Sequence, residues 1–410
     1  MKKICGLLGR KLGHSYSPII HTMLSNYSYE LFEREPEELE SFMREGNFDA
    51  INVTVPYKTA VIPYLYSLSD RAREIGSVNT VVRTADGYLY GDNTDYFGMK
   101  YMLERAGFDV SKKKVLILGS GGSSLTARAV LRSLGADKII VISRSGEDNY
   151  QNIACHYDAH YIINTTPVGM YPRGDETPLS LEGFSSLEGV CDIIFNPAVT
   201  SLMYEAQELG IRTAGGLPML VAQAKAASEC FTGEKIPDEK IEEIISTLEV
   251  KLKNIILVGM PGCGKSKISA ALGKILCREV VDTDKVVSHD RQKSIPDIFR
   301  EEGEEAFRAY EHEAVKKTAA RSGIVIATGG GVPTRLNNVK PLRQNGTVVY
   351  LRRPTEELSR DGRPLSKDAD MDEMFRVRRP FYEGCADITV DVRENPEATA
   401  NAIIQALYKE

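Results

Sequence analysis

The sequence lacks a membrane span, a disulfide pattern and any excess of positive charge. No apolar run approaches the roughly 18 residues that crossing a bilayer requires. The apolar stretch 4–8, which follows Lys2 and Lys3, is interrupted by Gly9 and Arg10 and is too short for a signal-peptide core. The seven cysteines are scattered and include no C-x-x-C pair. That excludes a disulfide scaffold or a cysteine zinc site and predicts a cytoplasmic protein with cysteines as small buried hydrophobes. A net charge of −6 argues against nucleic acid as the main partner. Internal repeats, low-complexity segments and a Gly/Ser- or Pro-rich linker are also missing.

What is present is ordinary in bulk and uneven in detail. Hydrophobic residues make up 42% and charged residues 26% of the 410 positions, a globular composition. At roughly 150 residues per domain the length predicts two or three domains. Residues 1–250 hold 24 Lys+Arg against 33 Asp+Glu, a net of −9, and residues 251–410 hold 27 against 24, a net of +3. A cationic second half suits a site that handles phosphate. Short Val/Ile/Leu runs at 4–8, 50–55, 80–83, 115–118, 139–142, 161–164, 190–194, 255–258, 324–327, 347–351 and 388–392 read as strands, several of them covered on both faces. Helical periodicity appears at 123–134, 217–231, 238–252 and 267–276, and Pro237-Asp238-Glu239 is a helix start signal. Alternating strands and helices predict an α/β fold. Two strand–glycine loop–helix units, at 115–134 and 255–276, point to two nucleotide sites.

The second unit is the more specific. Gly259-Met260-Pro261-Gly262-Cys263-Gly264-Lys265-Ser266 satisfies G-x-x-x-x-G-K-[ST] between an apolar strand and a helix. Its glycines turn backbone N–H groups toward phosphate oxygens, and the helix N-terminus adds partial positive charge. Lys265 would reach the β- and γ-phosphates of ATP and the Ser266 hydroxyl would bind Mg²⁺, with Gly262, Cys263, Gly264 and Lys267 completing the ATP-binding loop.

The rest of 253–410 resembles shikimate kinase. Val281-Asp282-Thr283-Asp284 is similar to that family's D-x-D, Phe307-Arg308 with Glu311 to its F-R-x-x-E, and Thr328-Gly329-Gly330-Gly331 to its triple-glycine substrate loop. Gly362-Arg363-Pro364-Leu365 resembles the lid, and Arg378-Arg379-Pro380-Phe381-Tyr382 resembles R-x-P-x-Y. The resemblance implies that Asp282 helps hold Mg²⁺ through water and that Asp284 orients or deprotonates the accepting hydroxyl. It implies that Arg308 and Arg378 grip the substrate carboxylate beside Gly330, and that Arg363 stabilises the transferring phosphoryl group. An arginine taken alone is usually a solvated ion pair; these occur together and in order. Between Leu351 and Arg363 the chain is short, so the lid looks trimmed, and Arg360 or Arg393 would pack on adenine.

In the first half, Gly119-Ser120-Gly121-Gly122-Ser123-Ser124 approximates G-x-G-x-x-G/A after an apolar strand. Arg144-Ser145 ends the next strand, where an NAD-binding fold offers a carboxylate; an arginine there can accept the ribose 2′-phosphate of NADP. The half resembles shikimate dehydrogenase through Gly13-His14-Ser15-Tyr16-Ser17-Pro18, Asn52-Val53-Thr54-Val55-Pro56-Tyr57-Lys58, Gly76-Ser77-Val78-Asn79-Thr80 and Gly91-Asp92-Asn93-Thr94-Asp95. Asn164-Thr165-Thr166-Pro167-Val168-Gly169-Met170 resembles the turn near the nicotinamide, and Gly216-Leu217-Pro218-Met219-Leu220-Val221-Ala222-Gln223-Ala224 the returning helix. The resemblance implies that Lys58 and Asp95 manage the proton at a ring ketone that receives hydride. Ser15, Ser17, Thr54, Asn79 and Gln223 would bind the substrate, and Gly119, Ser120, Gly121, Gly122, Ser123, Arg144, Ser145 and Gly216 the NADP. His14 and His21, without carboxylate-rich spacing, read as structural.

Two departures from the family bear on specificity. Phe195 replaces a tyrosine, and only 19 residues separate Arg144 from Asn164, which shortens the adenosine side and leaves NAD or quinate as an alternative. The expected architecture is a two-lobed dehydrogenase over 1–250, with a substrate lobe of 1–98 plus 217–248 and a Rossmann-like NADP lobe of 99–216. It is fused to a P-loop kinase domain with a parallel sheet over 251–410. The expected activities are NADPH-dependent reduction of 3-dehydroshikimate and Mg-ATP-dependent phosphorylation of shikimate, with small molecules as the partners. A catalytically silent sensor would have lost its reactive groups, whereas Lys58, Asp95, Lys265, Ser266, Asp284 and Arg363 are all present.

Overall fold

The computed structural model describes residues 2–13, 15–358 and 371–408. The chain divides into two compact units, Met1–Thr247 and Leu248–Glu410, and the division falls inside the helix Glu239–Leu252. Three sheets carry the architecture.

The first sheet holds β1 (Ile4–Gly9), β2 (Ser28–Glu33), β3 (Ala50–Val53), β4 (Ser67–Leu68), β5 (Thr80–Arg83) and β6 (Leu89–Asp92) in the order β2-β1-β3-β5-β6-β4. β1 runs parallel to β2 and β3, while β5 is antiparallel to both β3 and β6. Register therefore places Leu7, Asn52, Thr80 and Asp92 in one row across four strands. The loops that leave β1, β3 and β6, and the one that enters β5, open from that end. β3 is shorter than its apolar run suggests: the chain turns at Thr54, where Tyr57 N donates to Thr54 O at 2.9 Å.

The second sheet, β7 (Lys114–Leu118), β8 (Lys138–Ile142), β9 (Tyr161–Asn164), β10 (Gly189–Asp192) and β11 (Arg212–Ala214), is wholly parallel in the order β11-β10-β9-β7-β8. Its central strands are buried, apart from Lys114 at the start of β7, because helices cover both faces. The chain moves from β7 outward to β8, then crosses back to β9. β7 is thus the switch point, where an open parallel sheet forms a ligand crevice. β8 is the edge strand, and the link from it to β9 carries only the 3₁₀ turn Ile153–His156. The third sheet, β12 (Asn254–Val258), β13 (Val280–Asp282), β14 (Val325–Ala327), β15 (Gly346–Arg352) and β16 (Ile388–Asp391), is also parallel, ordered β13-β14-β12-β15-β16, with its switch point at β12.

Helix Asp95–Arg105 packs on helix Leu217–Thr232, so a lobe boundary at residue 98 would fall inside a single helix. The approach is close: a Cβ on Gly98 would lie 2.5 Å from Met219 O and 2.9 Å from Gln223 Cβ. Sequence periodicity missed β2, β4, β6, β11 and β13. These are short, lie at or near sheet edges, or leave both faces partly exposed, so no apolar run marks them. The helix after the phosphate loop begins at Lys265, two residues before its apolar periodicity does, because Gly264 in a left-handed conformation (φ 103°) starts it.

Candidate functional site

In the first unit the row of strand ends assembles a polar cluster. Lys58, on the turn after β3, donates from Nζ to Asp95 Oδ2 at 2.6 Å. Both side chains are nearly withdrawn from solvent, 15% and 8% exposed, unlike an ordinary surface ion pair. The Lys58 turn is held from behind by the buried Tyr57, whose hydroxyl donates to Arg34 O at 2.5 Å, and by Val78 N donating to Lys58 O at 2.8 Å. Asn79, just before β5, donates from Nδ2 to Asp95 Oδ1 at 2.9 Å and to Gln223 Oε1 at 3.3 Å. Thr94 N donates to Asn79 Oδ1 at 2.7 Å, which sets the sense of that amide. Four of the expected substrate residues, Lys58, Asn79, Asp95 and Gln223, thus form one hydrogen-bonded group.

Ser15 and Thr54 lie on the loops after β1 and β3, and Ser17 opens the helix Ser17–Leu24. Ser15 Oγ accepts from Ser17 N at 3.2 Å and Thr54 N donates to Leu8 O at 2.9 Å. Among the described residues no direct hydrogen bond joins these three to the Lys58 group. His14 lies outside the described residues. His21 is fully buried and stacks on Tyr29 with ring centroids 4.0 Å apart; burial pushes its pKa down to about 3, so it is a neutral packing ring. Asn52 and Thr80 continue the polar cluster inward: Tyr29 donates to Asn52 Oδ1 at 2.7 Å and Thr80 Oγ1 to Asn79 Oδ1 at 3.0 Å. Asn52 and Thr80 stand inside recognised motifs, but Tyr29, on an edge strand, carries no sequence signal.

The glycine loop after β7 stands beside this group. A Cβ on Gly122 would lie 3.1 Å from Ser77 Oγ and 3.6 Å from Lys58 Cβ. Gly119 adopts φ 102°, which favours glycine, and its N–H donates to Ile142 O at 2.8 Å. Ser120 and Gly121 are exposed, and Gly122 and Ser123 open the helix Gly122–Ser133. Arg144 and Ser145 are exposed just past the end of β8, free to face an anion. Gly216 passes so near the neighbouring loop that a Cβ there would meet Ile193 O at 2.1 Å. Phe195 packs on Tyr16 with ring centroids 5.2 Å apart. Register aligns Leu118, Asn164 and Asp192, so the Gly119 loop and the 164–170 turn leave the same end of the sheet. Asp192, which sequence reasoning missed, is fully buried there, and burial pushes its carboxyl up to about 7.

The second unit's site is more highly charged. In the loop 259–266, Lys265 folds back to donate from Nζ to Gly259 O at 2.8 Å and Met260 O at 3.1 Å. Gly262 and Gly264 have φ 90° and 103°, and Cys263 is buried beneath them. Ser266 and Lys267 are exposed. Ser266 Oγ donates to Asp282 Oδ2 at 3.1 Å, and Asp284 N donates to Asp282 Oδ1 at 3.1 Å. One hydroxyl beside one carboxylate suits Mg²⁺, which keeps several waters and takes its other ligands from phosphate. No group of three or more His, Cys, Asp or Glu is gathered to hold a metal among the described residues.

Asp284 is raised to about 6, first by burial and then by the nearby charges of Asp282 and Glu311. Arg308 donates from one terminal nitrogen to Glu311 Oε2 at 2.9 Å and from the other to Glu304 Oε1 at 3.1 Å. The glycines at 329–331 permit this crowding: a Cβ on Gly329 would meet Asp284 Oδ1 at 2.6 Å, and one on Gly331 would meet an Arg308 nitrogen at 2.3 Å. Gly330 O accepts from the buried Tyr382 hydroxyl at 2.6 Å, and a Cβ on Gly330 would touch Pro261 at 2.8 Å. Arg378, half-buried, stands beside Tyr382 and Glu311. Phosphate loop, Asp284, Arg308, Arg378 and Gly330 are therefore brought together, while Arg360 and Arg363 lie outside the described residues.

Comparison with known proteins divides the chain in the same way. The shikimate dehydrogenase substrate binding domain profile matches residues 7–81 and the shikimate kinase profile matches residues 261–408. A shikimate dehydrogenase (NADP(+)) of Clostridium perfringens (strain SM101 / Type A) is 35% identical over 271 residues, covering 61% of this chain and 99% of that protein. A chorismate mutase/shikimate 5-dehydrogenase fusion protein from Clostridium acetobutylicum matches with a TM-score of 0.57 at 33% identity, covering 61% of this chain and 98% of that one. Shikimate 5-dehydrogenase from Thermus thermophilus, solved with NADP(H) and shikimate, matches with a TM-score of 0.54 at 28% identity, covering 60% of this chain and 99% of that one.

Proposed function

The chain belongs to the shikimate dehydrogenase family and carries a shikimate kinase domain, and on that premise we propose how its residues carry out two reactions. It is a bifunctional enzyme of the shikimate pathway, an NADP-dependent dehydrogenase and an ATP-dependent kinase. The first activity reduces 3-dehydroshikimate to shikimate and the second phosphorylates the 3-hydroxyl of shikimate.

The observation that carries the first assignment is the sheltered Lys58–Asp95 pair at 2.6 Å, with Asn79 and Gln223 around it. The Gly119 loop would hold NADPH, with Arg144 and Ser145 available to its 2′-phosphate, and the bound cofactor would supply the hydride. As the ketone oxygen gains negative charge, Lys58 Nζ donates a proton to it. Asp95 holds Nζ in place through one oxygen and is itself fixed by Asn79 through the other. Ser15 and Ser17 bind the carboxylate, and Thr54, Asn79 and Gln223 the ring hydroxyls; all are neutral donors or acceptors suited to a polyol. The Thermus thermophilus neighbour, bound to NADP(H) and shikimate, supports this choice of cofactor and substrate.

In the second unit ATP supplies the phosphoryl group. Lys265 would exchange its loop carbonyls for β- and γ-phosphate oxygens, and Ser266 and, through water, Asp282 would hold Mg²⁺. Arg308 and Arg378 bind the shikimate carboxylate beside Gly330, where planar guanidinium groups match two oxygens at once. Asp284 accepts the hydroxyl proton, and its raised pKa keeps it a competent base just below neutral pH. Arg363, on the lid motif, stabilises the transferring group.

A coupled assay tests both assignments. Given 3-dehydroshikimate and NADPH, the chain should produce shikimate, and addition of Mg-ATP should convert that shikimate to shikimate 3-phosphate. Failure to oxidise NADPH would remove the first activity, and failure to form ADP with shikimate would remove the second.

A further inference from the structure

Asp192 is a fully buried acidic side chain at the end of β10, with no cation among its partners in the described residues. Retaining such a group between two strands of an apolar sheet is unfavourable unless its neighbours require an acceptor. Three donors converge on it. Asn164 Nδ2 and Thr200 Oγ1 donate to Oδ2 at 3.0 Å and 2.8 Å, and Ile194 N donates to Oδ1 at 3.0 Å.

Each donor belongs to a different segment around the cofactor loop. Asn164 Oδ1 accepts from Thr166 N at 3.0 Å and from Thr166 Oγ1 at 2.7 Å, so this one amide closes the turn after β9. Thr165 Oγ1 in turn donates to Leu118 O at 2.7 Å, one residue before the glycine loop, and a Cβ on Gly119 would meet the same oxygen at 3.0 Å. Ile194 leads to Phe195, whose ring packs on Tyr16 between Ser15 and Ser17. Thr200 caps the helix Ser201–Glu208. Thr166 N can only donate and Val168 O, 3.3 Å from Asn164 Nδ2, can only accept, so Asn164 turns its Oδ1 toward Thr166 and its Nδ2 toward Asp192 Oδ2, which accepts. An amide at 192 that kept Ile194 N paired would set its own Nδ2 against Asn164 Nδ2, and if Asn164 then flipped, Thr166 N and Val168 O would lose their partners.

We propose that Asp192 is a positioning residue for hydride transfer: it pairs the Asn164 amide in the sense that Thr166 and Val168 require and thereby holds the 165–168 turn against the glycine loop that seats the nicotinamide cofactor. The proposal rests on the reading that this loop and turn serve NADPH. It predicts a selective defect in cofactor use, because the Lys58 group has its own hydrogen bonds and includes no Asp192 contact.

The test is steady-state kinetics of Asp192→Asn in the full chain, with shikimate-dependent ATP turnover of the same preparation as the control for folding. KM for NADPH should rise about tenfold, the consequence of leaving buried donors unpaired, while KM for 3-dehydroshikimate and the kinase rate stay within about twofold. The exchange Asn164→Asp with Asp192→Asn reverses donor and acceptor and should recover about threefold of the loss, as coupled partners do. Thr166→Val, which leaves the buried carboxylate intact, should raise KM for NADPH about threefold and decides the matter if Asp192→Asn does not fold. An unchanged KM for NADPH in Asp192→Asn, or in Thr166→Val, overturns the proposal, as does a rise in both KM values that the exchange fails to recover. If the unsubstituted chain did not oxidise NADPH with 3-dehydroshikimate, the functional reading itself would fall, and this assignment with it.

Discussion

The two sites solve the problem of one small polyol acid with opposite materials. The first is made of amides and hydroxyls, Asn52, Asn79, Thr80, Thr94 and Gln223, around a single ion pair. The second is made of charges: Asp284, Arg308 and Glu311 crowd around a run of glycines, with Asp282 and Lys265 near Asp284. The difference follows the chemistry. Hydride transfer to a ketone develops charge on one oxygen, which one proton donor can neutralise. Phosphoryl transfer moves several formal charges between two anions and needs cations and a metal on them throughout. A neutral cluster fixes orientation through hydrogen bonds, whereas in the second site Asp284 is displaced from its ordinary titration first by burial and then by the charges of Asp282 and Glu311.

The sharpest test of that contrast is to remove the central cation from each site. Lys58→Ala should lower dehydrogenase turnover by about a thousandfold, a loss of proton transfer, and leave ATP turnover with shikimate unchanged. Lys265→Ala should lower the kinase by about a thousandfold through lost charge stabilisation and leave NADPH oxidation unchanged. Loss of both activities in either variant would break the picture of two self-contained sites. Arg308→Ala should raise the kinase KM for shikimate about thirtyfold, the scale of a charged hydrogen-bond pair, with KM for 3-dehydroshikimate in the other reaction unaffected.

A smaller effect comes from pH. Asp284 must be ionised to accept a proton, and its pKa stands at about 6 rather than the ordinary 3.8. Kinase turnover should therefore fall as pH drops through about 6 and stay level above 7 as far as this group is concerned. The dehydrogenase rate should show no inflection from this group. A kinase profile flat down to about pH 5 would remove Asp284 from the role of base. The smallest effect is expected from Gly98→Ala, whose new methyl would press on Met219 O and Gln223 Cβ between two helices of the first unit. Overpacking of this kind costs about 1–3 kcal/mol, so thermal unfolding of the first unit should shift downward while kinase stability holds.

Much of both sites is legible in the sequence, because phosphate and dinucleotide loops use local geometry. Gly262, Gly264 and Gly119 hold conformations that a side chain resists, and such positions recur at fixed spacing beside a strand and a helix. Arg308, Arg378 and Lys58 are found through short motifs for the same reason. Strands without an apolar run escape notice: β2 brings Tyr29 behind the substrate pocket, but its partly exposed pattern resembles a loop.

The sequence by itself determined an α/β chain, two strand–glycine loop–helix units and an ordered set of candidate site residues. Only the tertiary structure decided that Gln223 meets Asn79 across 144 positions, that Gly122 stands beside Lys58, and that Arg308 and Asp284 share the surface of three glycines. It also decided that Asp192 is the common acceptor of three separate segments. The physical reason is range. A turn or a helix start is encoded by neighbours in the chain, whereas a hydrogen bond between distant segments depends on strand order and on how closely two helices approach. In this chain those are set by parallel register and by the missing side chain of Gly98, which no local pattern reveals.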